Sequence, residues 1–278
     1  MMRGGYALSR ARARVVVLCY HSLNPELGRA GLAGTCEPER FRSHLEWLAE
    51  NCVVVPVSSA LRHSQTTDSD SARPIVAITF DDGFADTYDT AFPLLTEKGL
   101  TAAVFPIGSV LTRRGRSPQK FPWTRGAEPS WLEPTQIREM RASGFEVGAH
   151  TFTHPRLADL SVEAMHEELA RGKAAVEETL GEPVDMLAYP FGKPGRHYGP
   201  DAVSLARTLG FQTALTTVHR SVRAGDDPLQ VPRIGVADES VAELRDYVSG
   251  LWDVLGWWHE HRVAGRERSL HRGEAGNA

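Results

Sequence analysis

Ile75-Val-Ala-Ile-Thr-Phe-Asp-Asp-Gly83 is an unbroken apolar run that ends in two carboxylates and a glycine. Its composition predicts a buried strand over Ile75–Phe80, with Asp81 and Asp82 at the C-terminal end, the face on which α/β barrels gather active-site residues. Adjacent like charges repel, so both stay ionised only if something positive lies near. A divalent metal resolves the conflict by binding one carboxylate and leaving the other as a base. Gly83 lets the backbone turn sharply at that point. Taken alone, these residues also fit a helix-capping Asp-Asp-Gly turn.

On either side, short β-branched runs alternate with helical stretches, the pattern of parallel strands joined by crossover helices. The expected strands are Val15–Cys19, Val53–Val57, Ile75–Phe80, Ala102–Ile107, Glu146–Ala149, Met186–Tyr189, Gln212–Thr216 and Val231–Val236. Helices are expected over Glu37–Ala49, Asp159–Leu180 (capped at Ser161, closed at Gly181), Asp201–Leu209 and about Val241–Arg262. In the last of these, Leu251, Val254, Leu255 and Trp258 form a stripe that would pack on the barrel. Polar Arg62–Arg73 and proline-rich Gly115–Pro134 read as loops. Eight strands without a G-x-G-x-x-G or Walker loop fit a β/α barrel better than an open doubly wound sheet. The expected organisation is a basic N-terminal arm (1–14), a single barrel domain (15–262) and a polar C-terminal tail (263–278).

With 278 residues, 41% hydrophobic and 24% charged, the chain has ordinary globular composition. Lys plus Arg number 31 against 35 Asp plus Glu, a net charge of −4, so a nucleic-acid partner is not expected. No apolar run reaches the roughly 20 residues that span a bilayer. Val15–Tyr20 is too short for a signal-peptide core, and the three cysteines include no C-x-x-C pair; both point to a reduced, cytoplasmic protein, with export by another route left open.

The second chemical signal is His150-Thr-Phe-Thr-His154, just past the strand Glu146–Ala149. In one helical turn, i and i+4 side chains share a face, and two imidazoles so placed can share a metal. Pro155 discourages helix at His154, so a short loop turn is expected, following a strand whose neighbour ends in Asp-Asp. One Asp and two His make three protein ligands with positions left for water and substrate, the pattern of a hydrolytic site.

Thr79-Phe-Asp-Asp-Gly83, His150-Thr-Phe-Thr-His154 and Tyr189-Pro-Phe-Gly192, in that order, resemble the polysaccharide deacetylase family, carbohydrate esterase family 4 (the NodB-homology domain). The likeness runs over roughly Val15–Val236. The opening Leu18-Cys-Tyr-His-Ser22 resembles the bacterial exopolysaccharide N-deacetylase branch. The resemblance implies an irregular (β/α)7 barrel that removes acetyl groups from sugars with one divalent metal, zinc first, with Co2+, Ni2+ or Mn2+ as alternatives. It assigns Asp82, His150 and His154 to the metal and Asp81 to the general base. By position, the Phe191 N–H becomes the oxyanion donor, with Tyr189 and Pro190 lining the groove. Phe84, Trp123 and Trp131 are aromatic residues that could stack on sugar rings. Asp86 and Asp89 would brace the next helix.

Two positions depart from the family pattern. Ala188 stands where many members carry an arginine directed at the catalytic aspartate, and Arg233 could supply that guanidinium from a later strand. The family's acid histidine is missing at Leu215-Thr-Thr217, leaving His21, His219 or Asp81 itself as proton donor. The expected function is a metal-dependent deacetylase acting on a polysaccharide, oligosaccharide or glycan precursor. A small-molecule amidase or a catalytically silent carbohydrate-binding barrel remain open as alternatives, and the oligomeric state is undetermined.

Overall fold

The computed structural model describes residues 13–65, 73–112 and 129–253. Most of the N-terminal arm, residues 66–72 and 113–128 of the two expected loops, Trp123, and everything after Asp253 lie outside the described residues.

In chain order the elements are β1 (Val15–Tyr20), α1 (Pro25–Arg29), α2 (Pro38–Asn51), β2 (Val53–Val54), α3 (Val57–Gln65), β3 (Ile75–Asp82), α4 (Phe92–Glu97) and β4 (Ala103–Pro106). Then come α5 (Gly108–Leu111), α6 (Pro134–Ala142), β5 (Glu146–Val147), α7 (Val162–Leu180), β6 (Met186–Ala188), α8 (Pro200–Thr208), β7 (Thr213–Leu215), β8 (Ile234–Gly235) and α9 (Val241–Ser249). All eight expected strands form. Six are shorter than their apolar runs; β1 and β3 are longer, and β3 takes in both aspartates.

One parallel sheet runs β5-β4-β3-β1-β8, and a second joins β6 to β7. Single parallel bridges, Ala149 to Leu187 and Leu215 to Val231, connect the two on either side. Seven strands therefore follow one another around a ring. The eighth, β2, pairs only with the start of β3, through Val53 and Val54. This is the irregular (β/α)7 arrangement.

Side chains alternate across each strand, because successive residues of a pleated strand face opposite sides. Val15, Val17, Ile75, Ala77, Ala103, Phe105, Ala188, Leu215 and Val231 fill one apolar cluster inside the ring. Val16, Leu18, Tyr20, Val76, Ile78, Phe80 and Val104 belong to the larger cluster beneath the helices. Continued one step, the inward row of β1 reaches Cys19 and then His21. That of β3 reaches Thr79 and Asp81, and the row from Val231 reaches Arg233.

Several expectations change. Residues 62–65 of the expected loop are helical, completing α3. The last helix stops at Ser249 because Gly250 closes it in the left-handed conformation. Leu251 is consequently 67% exposed instead of packing on the barrel; the rest of that stripe, Val254, Leu255 and Trp258, lies outside the described residues. Ser161 and Gly181 cap α7 as anticipated. Cys19, Cys36 and Cys52 are buried thiols with no disulfide. No described helix is long and apolar enough to cross a membrane.

Candidate active site

Asp82 Oδ1 lies 3.4 Å from Nε2 of both His150 and His154. All three side chains are buried, and β4 separates the strands that carry them. The contact depends on unusual backbone. Asp82, Thr151, His154 and Phe191 have φ of 70°, 59°, 60° and 59°, and they are the only non-glycine residues with positive φ among those described. Each costs on the order of 1–3 kcal/mol in conformational strain, and all four cluster at one place, as strain tends to do at functional sites. Gly83 continues the turn at φ 85°; a Cβ there would stand 2.9 Å from Pro106 Cβ.

The loop from His150 to His154 is held from three directions. Glu168 on α7 accepts from Phe152 N–H (3.1 Å), Thr153 N–H (2.8 Å) and the Thr153 hydroxyl (2.7 Å). Gly108 and Ser109 N–H donate to the carbonyls of Thr151 and Phe152. At Gly172, α7 approaches so closely that a Cβ would lie 2.4 Å from the Thr151 carbonyl carbon.

These donors fit a divalent ion. One ligand atom from each of Asp82, His150 and His154 lies within 4.8 Å of the others. The 3.4 Å separations match the edge of about 3.3–3.6 Å of a tetrahedron with bonds of about 2.0–2.2 Å. Asp82 Oδ1 is buried without a hydrogen bond, a costly state unless another partner takes the oxygen. His150 Nδ1 lies 2.7 Å from the Ala188 carbonyl; donating there places the lone pair on Nε2, as a ligand requires. Burial pushes His154 down to about 4, which keeps it neutral near pH 7. Burial acts the same way on His150, but Asp81 and Asp82 lift it above the ordinary value.

Asp81 stands beside this set and is held differently. Arg233, fully buried, grips it with two bonds, Nη1 to Oδ1 at 2.7 Å and Nη2 to Oδ2 at 2.6 Å. The same guanidinium donates to the Thr216 carbonyl and Thr79 hydroxyl. The Cys19 thiol adds a 3.5 Å bond to Oδ2. Burial alone would raise Asp81, but Arg233 and then His150 hold it well below the usual carboxylate range. Arg233 is thus a buried partner of Asp81 and not a surface ion pair.

His21 joins from β1: one of its ring nitrogens lies within 4.8 Å of Cys19 Sγ and an Asp81 oxygen. His219 instead packs edge-on against Tyr247 of α9, ring centroids 4.9 Å apart. Phe191 N–H has no acceptor among the described residues, while its carbonyl accepts from Thr217 Oγ1 at 2.7 Å. Its ring stands edge-on to His154 at 4.7 Å.

A family model described as Polysaccharide deacetylase matches residues 68–214, more than half of the chain. The chain belongs to the polysaccharide deacetylase family. The Bacillus subtilis (strain 168) protein YxkH is 26% identical over 207 residues, which cover 74% of this chain and 65% of the relative. The peptidoglycan-N-acetylglucosamine deacetylase of Bacillus cereus is 27% identical over 155 residues, 55% of this chain and 62% of that protein. The chain thus spans just under two thirds of these curated relatives. Among solved structures, IcaB from Ammonifex degensii superposes with a TM-score of 0.68 at 26% identity, covering 86% of this chain and 98% of that one. The Streptococcus pyogenes deacetylase PplD, in complex with acetate, shares the fold, with a TM-score of 0.71 at 22% identity over 86% and 99% of the two chains.

Within this deacetylase-family barrel, the described residues expected to line the groove (Tyr189, Pro190) or to stack on sugar (Phe84, Trp131) are buried. Tyr189 is fully buried; its ring lies flat on Tyr198 at 4.1 Å and its hydroxyl donates to the Leu229 carbonyl. Pro190 is buried beside it. Phe84 and Trp131 stack on each other at 5.1 Å within a satellite apolar cluster, so their faces are covered. Asp86 braces the chain after β1, accepting from Ser22 Oγ (2.8 Å) and Leu23 N–H (2.7 Å). Glu168 and Cys19 were not anticipated, since no local pattern links them to the residues they touch.

Proposed function

We propose that the chain removes acetyl groups from N-acetylated sugars of a polysaccharide, oligosaccharide or glycan precursor, with one divalent ion, zinc first, held by Asp82, His150 and His154. The observation that carries this reading is an ionised, arginine-clamped Asp81 directly beside a buried Asp-His-His donor set. When bound, the ion polarises the acetyl carbonyl and makes water a better nucleophile near neutral pH. Asp81 draws the proton from the attacking water, and Arg233 keeps that carboxylate ionised and aimed. Phe191 N–H donates to the oxygen that gains charge as water adds; one such donor lowers the barrier by about 2.7–4 kcal/mol. His21, adjacent to Asp81, supplies the proton that the departing amine needs, so acetate and a free amino sugar leave.

The test is metal content together with acetate release from chitooligosaccharides. The wild type should hold one ion and release acetate. Asp82→Ala should lose both, whereas Asp81→Asn should keep the ion and lose at least 100-fold in rate, as removal of a general base does. A metal-loaded wild type that releases no acetate from any N-acetylated oligosaccharide, neutral or acidic, overturns the reading.

A further inference from the structure

Beside Phe191, the turn at residues 193–196 and the residue two past His154 carry three cations. Arg156 Cζ stands 5.6 Å from the centroid of the Phe191 ring, the ring that also abuts His154. Lys193 and Arg196 flank His197, whose own ring lies 5.3 Å from Phe191. All three cations are exposed, and among the described residues none has a carboxylate within 4.0 Å. Cations nearby are paired: Arg171 with Glu167, Lys173 with Glu177, Arg207 with Asp227 and Arg220 with Asp226. The chain as a whole is acidic, 31 basic against 35 acidic residues, so overall bias does not account for a local positive cluster. Burial lowers His197 most, a backbone hydrogen bond with Phe191 opposes it, and Arg196, Arg156 and Lys193 each add to the lowering. Unpaired like charges repel, and an arrangement of this kind is relieved by an anion from outside.

We infer that Arg156, Lys193 and Arg196 form a subsite for an anionic group, carboxylate or phosphate, on the sugar next to the one that is deacetylated. The substrate class is then an acidic glycan. The inference rests on the glycan reading above but adds a specificity which that reading does not require. Arg156 matters most, because a guanidinium forks onto either anion and its seat on the Phe191 face fixes it one ring from the His154 ligand.

Three oligosaccharides test it: neutral chitotetraose, an alternating N-acetylglucosamine–glucuronate tetramer, and an N-acetylglucosamine oligomer joined by phosphodiesters. Binding by calorimetry and acetate release are measured for each at about 50 and about 500 mM salt, where screening lengths differ about threefold. At low salt at least one acidic oligomer should bind about tenfold more tightly than chitotetraose. High salt and the triple variant Arg156→Gln/Lys193→Gln/Arg196→Gln should each abolish that preference. Preference for the uronate assigns a carboxylate, and preference for the phosphodiester a phosphate. Equal binding of all three at low salt overturns the proposal, as does an acidic preference that persists in the folded triple variant. If that variant does not fold, the salt series on the wild type decides. Acetate release without acidic preference fails this inference alone. Acidic preference without acetate from any oligomer fails the deacetylase reading and leaves the subsite standing.

Discussion

Asp81 and Arg233 are 152 residues apart in the chain and meet by two hydrogen bonds inside the ring. Replacing one member of a buried pair leaves the other's charge uncompensated, at a cost of about 3–5 kcal/mol. Arg233→Met should therefore lower unfolding stability by about that amount in denaturant titration. It should also slow turnover of whatever fraction remains folded; intact turnover would show that Asp81 is oriented without Arg233. This meeting was partly legible. Counting alternate residues inward from Ala77 reaches Asp81, and from Val231 reaches Arg233, so period two alone puts both on the barrel's inner face. The metal set was legible as motif. Glu168 was not: its partners lie 15 and 16 residues back, across a loop and a turn of helix. Nor could the stacking residues be judged, since Phe84 and Trp131 are each other's cover.

Between elements, α7 serves as the brace of the ligand loop. Its Glu168 carboxylate receives three donors from Phe152 and Thr153, and Gly172 lets the helix backbone touch Thr151. Partners that orient metal ligands typically contribute about 10–100-fold to affinity. Zinc titration of Glu168→Ala should show weakening in that range, with the helix content unchanged; undiminished affinity would reduce Glu168 to a surface contact. The chain after β1 is tied down by Asp86, whose carboxyl burial lifts to about 6. In the unfolded chain it titrates near 4, so the folded form holds its proton more tightly. This group's contribution to stability is full below about pH 4 and is lost as pH rises through 6. Asp86→Asn should flatten the stability profile across that window, as followed by denaturant midpoints at pH 4.5 and 7. Element positions were well anticipated from apolar runs and caps, but their ends were not. Residues such as Ala149 and Tyr189 leave regular pairing to turn toward the site, and Gly250 ends α9 where the apolar periodicity alone would have continued it.

At the scale of the whole molecule, the ring is unevenly stitched. β1 and β3 pair over six residues, Val15 to Tyr20 against Ile75 to Phe80. The joints at Ala149–Leu187 and Leu215–Val231 are single bridges. Local opening follows the thinnest hydrogen bonding. Amide protons of Ala149, Ala188 and Thr216 should accordingly exchange faster than those of Val17 and Ile78, and uniform protection around the ring would contradict this. The His150 to Ala188 hydrogen bond spans the first of those joints. An ion gripping His150 would then act as a rivet across the weakest lateral contact. Stripping it with a chelator would loosen the wall itself, so that catalytic loading and resistance to proteolysis rise and fall together.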